Sequence, residues 1–244
     1  MKVAWFSCGI TSAVACKLAL RDYKNVELYY IAGMLVHPDN DRFILDCEKW
    51  YDKKINIVKN IKGYESHLDV INKTGYVNGV MGAACTLQLK KEVRYKLEKE
   101  LDIENQIFGF EYSAKEINRA KRFSEQYPNA NALFPLIENK LNKNECAGIL
   151  QKAGIEIPAM YKLGYNNNNC IGCVKGGKYY WNQIRKDFPE TFEDMSKAER
   201  KAGHSCIKNV FLDELKEGEG NKNDEVNFEC GIFCEVEFAN LFEK

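Results

Sequence analysis

The sequence predicts an α/β protein with a mostly parallel, doubly wound sheet and a helical, cysteine-bearing C-terminal portion, and three observations lead there. Short apolar runs alternate with stretches of helical periodicity from Val3 to Gln126. Strands alternating with helices in this way make βαβ units. The first run opens into a turn of small residues, Ser7 to Ser12, at a strand's carboxyl end, where such sheets hold ligands. Apolar residues make up 45% and charged residues 29%, which is enough for a packed core and excludes disorder for the bulk of the chain.

Taken in order, Val3 to Phe6 is the first strand, and Ser12 to Leu20 suits a buried helix. Glu27 to Ala32, rich in Tyr and Ile, is the second strand. Residues 40 to 53 place Phe43, Ile44, Cys47, Trp50 and Tyr51 at helical spacing. Ile55 to Val58 and Ile107 to Phe110 are the third and fourth strands, and Lys90 to Leu101 and Ala114 to Gln126 read as charged helices. Leu136 to Ala153 reads as one helix stopped by Gly154, and Lys178 to Phe188 and Lys197 to Ala202 as shorter ones. Residues 216 to 225 are polar, contain two glycines and read as a flexible linker. The expected division is therefore an α/β core at 1–135, a helical segment at 136–215, and a linker with a terminal segment at 216–244.

Lys+Arg and Asp+Glu both number 35, so there is no net charge and any nucleic-acid contact must be local. The longest apolar runs are too short to span a bilayer, and Met1 to Phe6 enters a strand with no signal-peptide layout. A cytoplasmic protein with no membrane partner is the expectation. In that compartment ten cysteines point to metal, cluster or redox chemistry rather than disulfides. Cys16, Cys47 and Cys146 lie in apolar helical patterns and read as core. Cys170-x-x-Cys173 brings two thiolates within reach of one metal atom, and soft sulfur suits zinc or an iron–sulfur cluster alike. Cys85 follows Gly-Ala-Ala at a helix start and is the best third ligand.

A strand, then Ser7-Cys8-Gly9-Ile10-Thr11-Ser12, then a helix is a phosphate-binding layout. Backbone N–H groups point inward, Gly9 permits unusual dihedrals, and the helix start adds positive partial charge. Ordinary Ser/Thr capping of a strand-to-helix turn is the plainer reading of the same residues. Glu116 and Arg119, three apart on a helix, form either a solvated pair or an oriented anion ligand. His37 beside Pro38 reads as a loop residue. Tyr179, Tyr180 and Trp181 are expected to pack the cysteine loop.

The Ser7–Ser12 turn resembles the PP-loop of the adenine nucleotide α-hydrolase-like enzymes, Ser-Gly-Gly-x-Asp-Ser, with Cys8 in place of a glycine and Thr11 in place of the aspartate. Three further stretches resemble the phosphoadenosine phosphosulfate (PAPS) and adenosine phosphosulfate (APS) reductase branch. Cys85-Thr-Leu-Gln-Leu-Lys90 is similar to its Cys-Cys-x-x-Arg-Lys motif, with Thr86 where the second cysteine stands. Pro158 to Gly177 is similar to its later Cys-x-x-Cys segment and to phage-type reductase-like members. Glu229-Cys230-Gly231-Ile232-Phe233 is similar to its Glu-Cys-Gly-Leu-His tail, with Phe233 for the histidine.

This resemblance implies an adenine nucleotide (PAPS, APS or ATP) at Ser7, Cys8, Gly9, Ile10, Thr11 and Ser12, with Lys90 and Arg119 as further anion ligands. It implies a [4Fe-4S] cluster, or alternatively zinc, on Cys85, Cys170 and Cys173, with Cys206 or Cys234 as the fourth ligand. It also implies Cys230 as the nucleophile that takes the sulfonate from adenylyl sulfate, with a thioredoxin-like electron donor. Two other functions remain open on the same residues. One is an ATP-dependent sulfurtransferase that thiolates DNA or RNA, contacting the phosphate backbone through Lys90, Lys91, Arg94 and Lys96. The other is a non-catalytic nucleotide-binding protein.

Overall fold

The computed structural model of the chain describes residues 1–78 and 82–222. Its first half runs β1 (Lys2–Phe6), α1 (Ile10–Asp22), β2 (Val26–Ile31), α2 (Asp39–Tyr51), β3 (Ile55–Val58), α3 (His67–Thr74) and α4 (Ala84–Thr86). A π-helical turn, Leu87–Lys91, leads into α5 (Glu92–Glu100), followed by β4 (Asn105–Ile107) and α6 (Ala114–Gln126). The remainder is helical: α7 (Pro135–Glu138), α8 (Lys143–Lys152), α9 (Ala159–Lys162), α10 (Lys178–Asp187) and α11 (Pro189–Ala202). These elements form two compact units that interleave along the chain. The first comprises Met1–Ala32, His37–Val58 and Lys96–Asn168, and the second Gly33–Val36, Lys59–Tyr95 and the described residues from Asn169 onward. The linear division read from the sequence, with boundaries after 135 and 215, does not follow these units.

The first unit is built on a four-stranded parallel sheet in the order β3-β2-β1-β4. Its centre is β1, which pairs with β2 over its whole length and with β4 on its other side. Four of its five residues are buried, which explains its unbroken apolar sequence. Phe6 stacks on Phe43 at 6.0 Å and meets Tyr30 and Tyr51 edge-on, each ring contributing core burial of roughly 1.5–3 kcal/mol. Small residues Ala13, Ala15 and Ala19 let α1 lie close against β1 and α8. The chain moves outward from β1 to β3 and then returns to the other side of β1. That reversal makes the carboxyl end of β1 a topological switch point, and Ser7–Ser12 leaves the sheet there.

Several elements differ from the sequence reading. The helix expected over 136–153 is two helices, because Asn142 and Glu145 form a capping box that starts α8 anew. Glu145 N–H donates to Asn142 Oδ1 at 3.0 Å and Asn142 N–H to Glu145 Oε2 at 2.7 Å. The fourth strand begins two residues earlier and ends at Ile107. The helix expected from Lys197 extends back to Pro189, where a proline suits the first turn.

In the second unit α11 packs on α3 and α10. Residues 216–222 are tied by polar contacts rather than left loose: Asn182 Nδ2 donates to the Lys216 and Glu219 carbonyls, and Lys178 pairs with Glu219. Glu199 on α11 is fully buried and accepts the Cys206 and Leu212 N–H groups. Burial pushes its carboxyl above the ordinary value of 4.5 even against those bonds. The folded chain thus holds this proton more tightly than the unfolded chain. Its effect on stability is least costly near and below pH 4.5 and worsens as pH rises through the raised folded value. We expect Glu199→Gln to flatten the fall in urea midpoint between pH 4.5 and neutrality. Identical pH dependence in the variant would show that Glu199 does not carry it.

Candidate functional site

The turn after β1 is held from three directions, all within the first unit. From inside, the Ser12 hydroxyl accepts the Ser7 N–H and the Ser7 hydroxyl, each at 3.0 Å, and donates to the Gly9 carbonyl at 2.9 Å. From α2 and the asparagine run, buried Asn168 donates from Nδ2 to the Cys8 carbonyl at 2.7 Å and to Asn40 Oδ1 at 2.8 Å. From the end of β4, Gly109 lies so close that a Cβ there would stand 2.7 Å from Ser12 Cα. The left-handed residue of the turn is Cys8, at φ 57°, and not Gly9, whose φ of −93° is open to any side chain. That corrects the expectation that Gly9 supplies unusual dihedrals.

Ser7 is exposed, whereas Cys8, Ile10, Thr11 and Ser12 are buried, so Thr11 is not presented to solvent as a donor. What the turn offers an anion is the start of α1. Gly9 caps it without a side-chain bond, and the first turn carries no acidic residue to oppose its positive end. Tyr161 on α9 reaches this spot: Ile10 N–H donates to its hydroxyl at a long 3.4 Å. Arg119, also in the first unit, forms a buried pair with Glu116 at 2.9 Å and lies 4.3 Å over the Phe110 ring. The solvated form of that pair is thereby excluded. His37 accepts the Asp39 N–H and is a loop residue as expected.

The second unit brings Cys85, Cys170 and Cys173 together around one small cavity, with Met34, His67, Thr86, Leu89, Lys90 and Val174 as its other walls. Lys90, read from the sequence as an anion ligand beside the loop, is a buried wall of this cavity. Tyr180 fixes the turn between the cysteines, accepting the Cys173 N–H at 2.9 Å and donating to the Cys170 carbonyl at 3.0 Å. Gly172 within that turn has φ +73°, and a Cβ there would collide with Thr191 at 2.7 Å. Cys206 lies close enough to Cys85 to interact electrostatically, but its thiol is hydrogen-bonded to Glu199 and is pushed far up, chiefly by burial. Cys230 and Cys234 lie outside the described residues.

The donors around the cavity are soft or borderline, three thiols, the Met34 thioether and an imidazole with no carboxylate among the lining residues, and thiols with an imidazole are the chemistry of zinc or iron–sulfur ligation. Its volume is about 10 Å³, roughly one water. A single ion fits that space more readily than a four-iron core, for which the walls must part. Among the described residues no three His, Cys, Asp or Glu side chains yet converge closely enough to grip one ion, so the thiols must turn inward about χ1 to close on a metal. His67, Thr86, Asn168 and Gly109 were not singled out as site residues from the sequence. Of these only Asn168, inside a run of four asparagines, carried a visible local signal.

No protein-family model and no curated protein matches the chain. Among solved structures, phosphoadenylyl-sulfate (PAPS) reductase from Candida auris in its phosphate complex matches with a TM-score of 0.50 at 17% identity. The match covers 69% of this chain and 80% of that one. The chain has a PAPS reductase-like fold. The α/β class, the parallel sheet and the loop at the end of β1 agree with that assignment. No helix among the described residues is long and apolar enough to cross a membrane.

The two glycines of the site separate under substitution. Gly109→Ala forces backbone apart and is expected to cost about 1–3 kcal/mol. Gly9→Ala meets only ordinary contacts from 3.4 Å outward and should cost about 1 kcal/mol or less. Urea unfolding of the two variants checks this, and equal costs would refute the close approach at Gly109.

Proposed function

We propose that the chain is a PAPS reductase-like enzyme that binds an adenine nucleotide with its phosphates or sulfate at Ser7–Ser12. The observation that carries this is the loop itself, an uncapped helix start at the sheet's switch point, free of acidic residues in its first turn. Thr11 in the aspartate position favours the reductase over the ATP-dependent sulfurtransferase. Its hydroxyl brings no carboxylate to the magnesium that ATP chemistry requires.

In the proposed reaction the Cys230 thiolate attacks the sulfur of bound adenylyl sulfate. The new S–S bond forms as the S–O bond to the nucleotide breaks, and the adenosine phosphate leaves with the electron pair of that bond. The enzyme thiosulfonate then gives sulfite when a dithiol donor of the thioredoxin type attacks the Cys230 sulfur and ends as a disulfide after a second exchange. Binding orients the sulfate against the positive end of α1, and the Ser12 hydroxyl holds the loop in the shape that does so. Cys85, Cys170 and Cys173 would hold an iron–sulfur cluster or zinc, which would supply a soft, thiolate-bound metal centre in the second unit.

Calorimetry with PAPS, APS and ATP on the full chain tests this reading. Ser12→Ala should weaken binding at least tenfold, about 1.4 kcal/mol. Cys230→Ser should keep nucleotide affinity yet release no sulfite. Magnesium-dependent ATP binding, with neither sulfate compound bound, would move the assignment to the sulfurtransferase.

A further inference from the structure

We infer that His67 completes the metal site that Cys85, Cys170 and Cys173 begin, giving a centre with three thiolates and one imidazole. The inference deepens the metal-binding part of the proposed function and rests on it. Sequence spacing pointed to cysteines for the fourth place. The cavity points elsewhere: among the described residues that line it, the other side chains with a lone pair suited to a soft or borderline metal are the Met34 thioether and the His67 imidazole at the start of α3, and of the two imidazole is the ligand that zinc and iron–sulfur sites use.

Three observations carry this. His67 is 2% exposed, and both of its ring nitrogens are shielded from solvent. Its Nε2 sits against the Cys170–Cys173 turn, 3.6 Å from the point where a side chain on Gly172 would begin. Among the described residues the competing thiol, Cys206, does not line the cavity and is engaged by Glu199.

Two further walls of the cavity fit the same occupant. The Thr86 hydroxyl is 3% exposed and has no hydrogen-bond partner among the described residues, which leaves a buried donor facing an otherwise apolar space. A thiolate or sulfide sulfur would accept its proton. Thr86 thus serves as a hydrogen-bond donor on the cavity wall, while the imidazole ligates from α3. Charge balance agrees. A divalent ion, or a cluster core of charge +2, bound to three thiolates carries one net negative charge. Lys90 on the cavity wall supplies one positive charge, and a buried charge is tolerated when paired.

The experiment uses the full chain purified without oxygen, with iron and zinc counted per chain. Electron paramagnetic resonance is then recorded on the reduced cluster or, for a zinc protein, on its cobalt(II)-substituted form. Three thiolates and one imidazole predict a nitrogen coupling in the pulsed spectrum of the wild-type protein. His67→Ala should lower metal retention against a chelator at least tenfold, and Cys206→Ser should leave it unchanged. His67→Cys should keep the metal and abolish the nitrogen coupling. Metal present with no nitrogen coupling in the wild type overturns the inference whether or not His67→Ala folds, as does loss of metal in folded Cys206→Ser alone. A wild-type chain that binds no metal but still binds PAPS also overturns it, leaving the nucleotide reading in place. Nitrogen coupling without nucleotide binding sustains it while the reductase reading falls.

Discussion

Where β4 ends, the backbone at Gly109 comes within a distance of Ser12 that no side chain could occupy, and much of the first unit follows from that approach. It fixes how close the end of β4 lies to the start of α1, while β4 itself fills the second side of β1. The turn between β1 and α1 is then clamped from outside. Its own bonds radiate from one hydroxyl, Ser12, and the remaining carbonyl at Cys8 is taken by Asn168 from a distant stretch of chain. A left-handed non-glycine residue such as Cys8 costs on the order of 1–2 kcal/mol, and it persists where neighbours over-determine the conformation. Here they do.

Surroundings, more than burial, sort the cysteines by chemistry. Cys16 and Cys47 lie in the core against Tyr51, and Cys146 lies on the buried face of α8; burial pushes Cys47 and Cys146 up to about 12 and Cys16 higher still. Cys8 is raised as well, by burial first and then by Cys47. These thiols stay protonated and behave as small apolar side chains. Cys85, Cys170 and Cys173 instead share a cavity with the His67 imidazole and the Lys90 side chain.

The fold class was legible because period and alternation are local properties: β1, α1, β2, α2 and β3 fall within a residue or two of where apolar spacing puts them. The split between α7 and α8 was missed because two polar residues, Asn142 and Glu145, outweigh an apolar rhythm that continues across them. The turn after β1 was legible from its six residues, but what holds it was not, since Gly109, Asn168 and Tyr161 are over ninety residues away in sequence. Cys85, Cys170 and Cys173 could be gathered by residue type. His67 could not, because a single histidine in an apolar helix carries no spacing that distinguishes a ligand from a core residue.

The interleaving of the two units has a consequence for synthesis. Lys2 pairs with Asn105, so β1 emerges from the ribosome with one edge that stays open until the chain beyond Ile107 has followed. By then Lys59–Tyr95 of the second unit is already out, although its Asn169 onward partner is not. Contacts of such long sequence separation slow folding, and an unpaired central strand exposes its apolar side chains and unbonded N–H and C=O groups in the meantime. Neither unit corresponds to a contiguous stretch of sequence that could fold first and wait. The chain must reach Asn168 before the first unit is whole, so its folding waits on long-range contacts rather than following the order of synthesis.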